Sequence, residues 1–224
     1  HSDLDIMFIY EADGMTRIRG RRRGWEPTTN FHFYSELGTR IMRVAGGMGP
    51  QGRLYSIDPR LRPTGRSGSL VLPLDQFRRY HESGTAELWE RQALTKARPV
   101  FGAPELAGAV VTAVQAAAYG TPWRPEMADE IYSVRLRLEE SRSESDLKRG
   151  FGGIVDVEFL VQTLQLKYGP ADPSLRIPNT RLAIEALRTA GWLDGYNHSL
   201  LCESYDFLRR VESRLRIVHN VSRD

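Results

Sequence analysis

The run SDLDIMFIY, residues 2–10, decides the reading of the fold. From Leu4 to Tyr10 it is apolar on both faces of an extended chain, the pattern of a buried central strand. Working outward, Asn30 is expected to cap a helix whose apolar positions Phe31, Tyr34, Leu37, Ile41 and Val44 or Ala45 share one face. The pair Gly46-Gly47 ends it. A second strand is expected over Arg53–Asp58 and a short further one over Ser69–Leu72. The opening third of the chain therefore reads as strand, helix, strand.

After Pro73 the strand patterning disappears. Helical periodicity predicts helices over Leu74–Glu82, Ala86–Ala97, Glu105–Tyr119, Met127–Ser141, Ile154–Tyr168, Thr180–Ala190 and His198–Val218. Turn-formers separate them: Ser83-Gly84, Gly102, Gly120 to Pro125, Gly169-Pro170 and Gly191. The expected class is α+β. A small mixed-sheet domain occupies residues 1–102 and an all-helical bundle domain residues 103–224. No internal repeat or low-complexity segment is present.

The bulk composition is that of a globular chain: 224 residues, 41% hydrophobic and 26% charged. Net charge is only +3, from 31 Lys and Arg against 28 Asp and Glu. The chain lacks a strong basic stripe and interleaved stacking aromatics, which argues against a nucleic-acid partner. One dense basic run, Arg17 to Arg23, holds five arginines. It reads either as a polyanion contact or as a solvated loop broken by Gly20 and Gly24. A single cysteine, Cys202, excludes an intrachain disulfide, suits a reducing cytoplasm, and fits a small core residue better than a nucleophile. No apolar stretch reaches the roughly 18 residues of a membrane span, and no secretory signal opens the chain. The strand pattern is already under way at His1-Ser2-Asp3, so the chain is expected to be a fragment of a longer polypeptide.

The chemistry lies in carboxylates. Asp3 and Asp5 flank Leu4, and alternation along a strand turns residues two apart to one face. Two carboxylates so close repel unless a cation lies between them. Mg²⁺ suits hard oxygen ligands and leaves room for phosphate oxygens. A third carboxylate, Asp58, ends the second expected strand, and neighbouring strands can bring it to the first pair. Asp3, Asp5 and Asp58 are thus the expected catalytic and metal-ligating set. Asp58 also opens the run DPRLRPTGRSG, residues 58–68, in which prolines stiffen the backbone and glycines permit close approach. Guanidinium groups match phosphate oxygens with paired hydrogen bonds, so Arg60, Arg62 and Arg66 read as a phosphate clamp; the competing reading is a surface turn with structural ion pairs.

These residues resemble the glutamine synthetase adenylyltransferase/adenylyl-removing enzymes of the DNA polymerase β-like nucleotidyltransferase superfamily. The resemblance rests on SDLD at residues 2–5 and LYSIDPRLRP at 54–63. It continues through WERQAL at 89–94, KARPV at 96–100, Lys148, GGIVDVEF at 152–159, Asn179-Thr180 and FLRR at 207–210. It implies a bacterial cytoplasmic nucleotidyltransferase that uses Mg²⁺ or Mn²⁺ and takes ATP as substrate. Its protein substrate would be glutamine synthetase, and the PII signal protein and glutamine would control it. The family enzyme holds two related catalytic units. One attaches AMP to a tyrosine of glutamine synthetase and the other removes it by phosphorolysis. The Arg66-Ser67-Gly68, WERQAL and DVEF stretches look more like the adenylylating unit. The superfamily places a Gly-rich turn just before the aspartates, and that element is expected to lie outside this sequence.

Lys148 and Arg149 can reach nucleotide phosphates or stay solvated. Asp156 and Glu158 open a predicted helix, where carboxylates favour the helix dipole. Two apart on a helix, they do not share a face, so joint metal binding is not expected. The histidines show no metal-ligand spacing, and no Cys-His arrangement is evident. Arg209 and Arg210 read as a charged outer face. Two alternatives stand beside AMP transfer: the adenylyl-removing unit, and a non-catalytic regulatory domain that binds PII or glutamine synthetase.

Overall fold

A computed structural model describes residues 4–17, 26–49, 52–53, 56–141 and 146–219. The chain divides into two compact units, His1–Ala86 with Pro99–Ala113 and Glu87–Arg98 with Val114–Asp224.

The first unit is mixed. Strands β1 (Leu4–Asp5) and β2 (Phe8–Tyr10) precede helix α1 (Asn30–Ala45), followed by β3 (Met48–Gly49), β4 (Gly52–Arg53), β5 (Ile57–Asp58), β6 (Val71–Pro73) and α2 (Leu74–Glu82). The expected single strand Leu4–Tyr10 is two. β1 pairs in parallel with β5, and β2 in parallel with β6. Ile6 and Met7 form the break between two partners, which strand propensity alone does not encode. β3 and β4 form a small antiparallel pair. The expected strand Arg53–Asp58 is likewise divided between β4 and β5, with Leu54 and Tyr55 outside the described residues. Nor is the opening strand buried throughout: Leu4 is 42% exposed, and burial is complete only at Tyr10.

Phe77, Val71, Leu72, Leu74 and Tyr10 make the core of this unit. The Tyr10 ring stacks on Tyr34 of α1 at 5.1 Å. The α1 face turned inward differs from the one expected. Gly38 is its buried residue, and a Cβ there would meet Val71 Cγ1 at 3.2 Å and Leu70 Cδ2 at 3.3 Å. The helix lies on β6 by its glycine, so Leu37, Ile41 and Val44 are left exposed. The cap also moves by one residue. Thr29 is the N-cap, its hydroxyl accepting from the His32 N–H, while the Asn30 amide donates to the Ala12 carbonyl at 2.8 Å. Gly46 closes the helix by donating to Met42.

The second unit is helical among its described residues. It contains α3 (Leu88–Leu94), the end of α4 (Pro104–Tyr119), α5 (Glu126–Glu140), α6 (Ile154–Tyr168), α7 (Thr180–Thr189) and α8 (Gly195–His219). A capping box of Glu87 and Glu90 starts α3, and Asn179 caps α7. Val157, Val161, Leu175, Ala183, Ile184, Leu187, Leu193 and Cys202 form one core cluster across α6, α7 and α8. Leu88, Met127, Ile131 and Leu166 form a second, against which Trp123 and Phe159 pack.

Buried polar groups stitch these helices together. Gln92 donates to Gln162 at 2.8 Å, and Arg91 donates to the Ala118 and Thr121 carbonyls. The Gln165 amide donates to the Leu175 and Ile177 carbonyls at 2.7 and 2.9 Å, tying α6 to the 3₁₀ turn Pro173–Leu175. Gln165→Leu strands the Ile177 carbonyl and leaves the Leu175 carbonyl with the Ile177 N–H alone, and is expected to cost roughly 1–3 kcal/mol. Urea denaturation checks this, and a loss below measurement error would show that the carbonyls find other donors. Among the described residues no helix is long and apolar enough to cross a membrane.

Candidate functional site

Two of the expected site residues are register partners in the first unit. The β1–β5 register makes Asp5 and Asp58 direct partners on neighbouring parallel strands, so their side chains leave the same face. The Leu4 N–H donates to the Ser56 carbonyl and the Ile6 N–H to the Asp58 carbonyl, which pins this register on both sides of Asp5. Asp5 is exposed and Asp58 buried. Asp3 lies outside the described residues.

Arg60 turns back onto Asp58. Its Nε donates to Oδ1 at 2.7 Å and Oδ2 at 2.6 Å, its Nη2 pairs with Oδ2, and its backbone N–H donates to Oδ1 at 2.9 Å. Burying the Asp58 carboxylate beside a second carboxylate is costly. The guanidinium supplies the compensating charge, and it is itself half-exposed, at 52% of its side chain. The oxygen-rich donor set of Asp5 and Asp58 fits a hard divalent cation.

Arg62 is used differently. Its Nε donates to the Gly68 carbonyl at 3.2 Å and its Nη1 to the Pro59 carbonyl, so it braces its own loop from within. The Gly65 N–H donates to the Arg62 carbonyl at 2.8 Å, and Thr64 adopts a left-handed φ of 61° to close the turn. The Arg66 side chain lies outside the description. A Cβ on Gly68 would stand 2.3 Å from the Pro63 carbonyl and 2.6 Å from the Thr64 hydroxyl. Gly68→Ala must therefore displace backbone, and is expected to cost about 1–3 kcal/mol. An unchanged urea midpoint would count against the loop geometry. Of the basic run, only Arg17 is among the described residues.

The other expected residues belong to the second unit. The half-buried Lys148 lies in the turn before α6, where its backbone N–H and that of Arg149 both donate to Asp146. Asp156 pairs with Arg135 and accepts the Gly152 N–H at 2.7 Å. Glu158 accepts from Lys96 at 2.6 Å and Tyr205 at 3.3 Å. The two carboxylates thus serve separate partners, as positions two apart on a helix require. An open depression of about 760 Å³ has Arg135 and Asp156 in its lining, already paired with each other.

One cluster escaped the sequence reading. Glu185 of α7 meets His198 and Cys202 of α8, with ligand atoms all within 4.8 Å of one another. His198 and Cys202 are four apart on one helix, a spacing that the expectation of no Cys-His arrangement passed over. Glu185 comes from a different helix, which was not legible.

Two family models match successive stretches of the chain. The family model described as glutamate-ammonia ligase adenylyltransferase matches residues 1–112, and that described as GlnD PII-uridylyltransferase matches residues 127–224. A bifunctional glutamine synthetase adenylyltransferase/adenylyl-removing enzyme of Streptomyces coelicolor is 34% identical over 220 residues, 96% of this chain and 21% of its own length. Its counterpart in Nitrosococcus oceani is 36% identical over 224 residues, 96% of this chain and 22% of its own. That of Mycolicibacterium smegmatis is 34% identical over 223 residues, 96% of this chain and 20% of its own. The chain spans about a fifth of the length of these curated relatives.

Proposed function

The chain belongs to the glutamate-ammonia ligase adenylyltransferase family, and we propose that it is part of a catalytic unit that transfers AMP from ATP to a tyrosine of glutamine synthetase. The observation that carries this reading is the register pairing of Asp5 with Asp58 on adjacent parallel strands. It puts two carboxylates on one face beside the rigid loop that bears Arg60, Arg62 and Arg66.

Asp5 and Asp58, with Asp3 as the expected third ligand, would hold Mg²⁺ or Mn²⁺, which supplies charge neutralisation and polarisation of the α-phosphate. Arg60 orients the Asp58 carboxylate and presents a half-exposed guanidinium for which nucleotide phosphates compete. Arg62 holds the loop in shape through the Pro59 and Gly68 carbonyls. Arg66 is the second arginine proposed for the phosphates.

Glutamine synthetase and the PII protein are the partners we propose. Glutamine synthetase is named by the curated relatives. The match of residues 127–224 to a PII-uridylyltransferase model supports PII as the regulatory partner, and the bacterial cytoplasm is proposed from the family resemblance alone.

The test uses ATP labelled on its α-phosphate, purified glutamine synthetase and the complete catalytic unit. Label that becomes covalently attached to glutamine synthetase supports the proposal. Release of label from modified glutamine synthetase only when phosphate is added would assign the chain to the adenylyl-removing unit instead. Neither activity, together with binding to PII or glutamine synthetase, would make it a regulatory domain.

A further inference from the structure

We infer that Glu185, His198 and Cys202 form a zinc-class metal site between α7 and α8. His198 Nε2 lies 2.8 Å from Glu185 Oε2 and 3.5 Å from Cys202 Sγ. Both partners meet the same ring nitrogen. A nucleophile–base–orienter relay uses the two imidazole nitrogens separately, so this is not such a relay. Three donor atoms of different type lie within 4.8 Å of one another, close enough to serve as three ligands of one tetrahedral ion.

The distances agree with that use. Bonds of about 2.0–2.1 Å to nitrogen and 2.3 Å to sulfur imply a nitrogen–sulfur separation of about 3.5 Å around a tetrahedral ion. Nitrogen and oxygen would sit about 3.3 Å apart. The His198–Cys202 pair is already at that spacing, and the Glu185–His198 hydrogen bond need open by only about half an ångström. Thiolate, imidazole and carboxylate together favour Zn²⁺ over Mg²⁺ or Ca²⁺. Three protein ligands leave a fourth position for water, and the side chains of Glu185 and His198 are 45% and 23% exposed, which gives an entry path.

Charge is also accounted for. Burial pushes the Cys202 thiol up, so the thiol is protonated without an ion and must lose its proton when one binds. Glu185 is held low, chiefly by its hydrogen bond to Arg181 and then by His198. Arg181 also pairs with Asp206 at 3.3 Å, so its own charge is offset within the cluster. A thiolate and a carboxylate then neutralise one divalent cation.

The site is tested by titrating Co²⁺ into the full chain and following absorbance, then displacing it with Zn²⁺. The expected result is a near-ultraviolet thiolate-to-cobalt band and strong visible bands of four-coordinate Co²⁺, both abolished by stoichiometric Zn²⁺. Cys202→Ala should remove the thiolate band. Cys202 lies in the core, so Glu185→Gln on a half-exposed residue provides a second readout: Zn²⁺ affinity, measured against a chromophoric chelator, should fall about tenfold or more. Absence of the thiolate band in the wild-type chain overturns the inference. So does Zn²⁺ affinity unchanged in both variants, which would place the ion on other histidines and leave Glu185–His198 as a plain hydrogen bond.

Discussion

Asp5→Asn is expected to lower AMP transfer to glutamine synthetase by about a hundredfold to a thousandfold or more, while leaving the fold intact. The substitution keeps the volume and removes the charge, and the proposed cation needs the charge. Asp5 is exposed, and an exposed substitution of this kind usually changes stability by only about 0.5 kcal/mol in either direction. Losing one of two like-charged neighbours relieves repulsion as well. Asp58→Asn is the contrasting variant. Asp58 is buried and clasped by Arg60 through both carboxylate oxygens, so the same chemical change should abolish transfer and also cost about 1–3 kcal/mol of stability. The assay is incorporation of labelled AMP, with urea denaturation alongside. Wild-type incorporation by the Asp5→Asn enzyme would remove Asp5 from the ligand set. A stability loss at Asp5 as large as that at Asp58 would mean that the first effect is not specific to chemistry.

Helices were legible to within a few residues. Leu74–Glu82 and Ile154–Tyr168 match α2 and α6 end to end, because the Pro73 and Gly153 N-caps and the Ser83 and Gly169 C-caps are local signals. Sheet pairing was not local. Leu4–Tyr10 reads as one strand from its residues, yet its halves bond to segments about fifty and sixty positions away. Which α1 face turns inward was hidden for another reason. A glycine has no hydrophobicity to register, but its missing side chain is what lets the helix approach β6.

The candidate site was legible as a set of residue types and less so as contacts. Asp5 and Asp58 could be proposed as neighbours from strand ends alone. That Arg60 would close on Asp58, and Arg62 on its own carbonyls, depends on how the proline-stiffened loop folds back. Alternating arginines suggested that all three were offered outward. The structure instead commits Arg62 to the loop and divides Arg60 between a buried carboxylate and solvent.

Arg135→Ala is expected to be the most destabilising single change in the helical unit, costing about 3–5 kcal/mol. Arg135 is only 4% exposed. Its Nε pairs with Asp156 in the first turn of α6, its Nη2 donates to the Gly150 carbonyl at 3.0 Å, and its Nη1 lies 3.4 Å from Glu139. Asp156 in turn accepts the Gly152 N–H. One guanidinium therefore fixes α5, the turn Gly150–Gly153 and the start of α6. Truncation leaves Asp156 without its cation, leaves the Gly150 carbonyl with the Gly153 N–H alone and opens a void where the stem had packed. Arg135→Met separates these causes, since it keeps most of the stem and loses only the charge. Pairing it with Asp156→Asn removes the orphaned charge while an oxygen remains for Gly152, so the double variant should recover much of the loss. Urea denaturation of Arg135→Met, Asp156→Asn and the double variant beside the wild type gives the coupling energy. An Arg135→Ala loss below about 1 kcal/mol, or a double variant no more stable than Arg135→Met, would show that the pair is dispensable and that α6 is held by its apolar face alone.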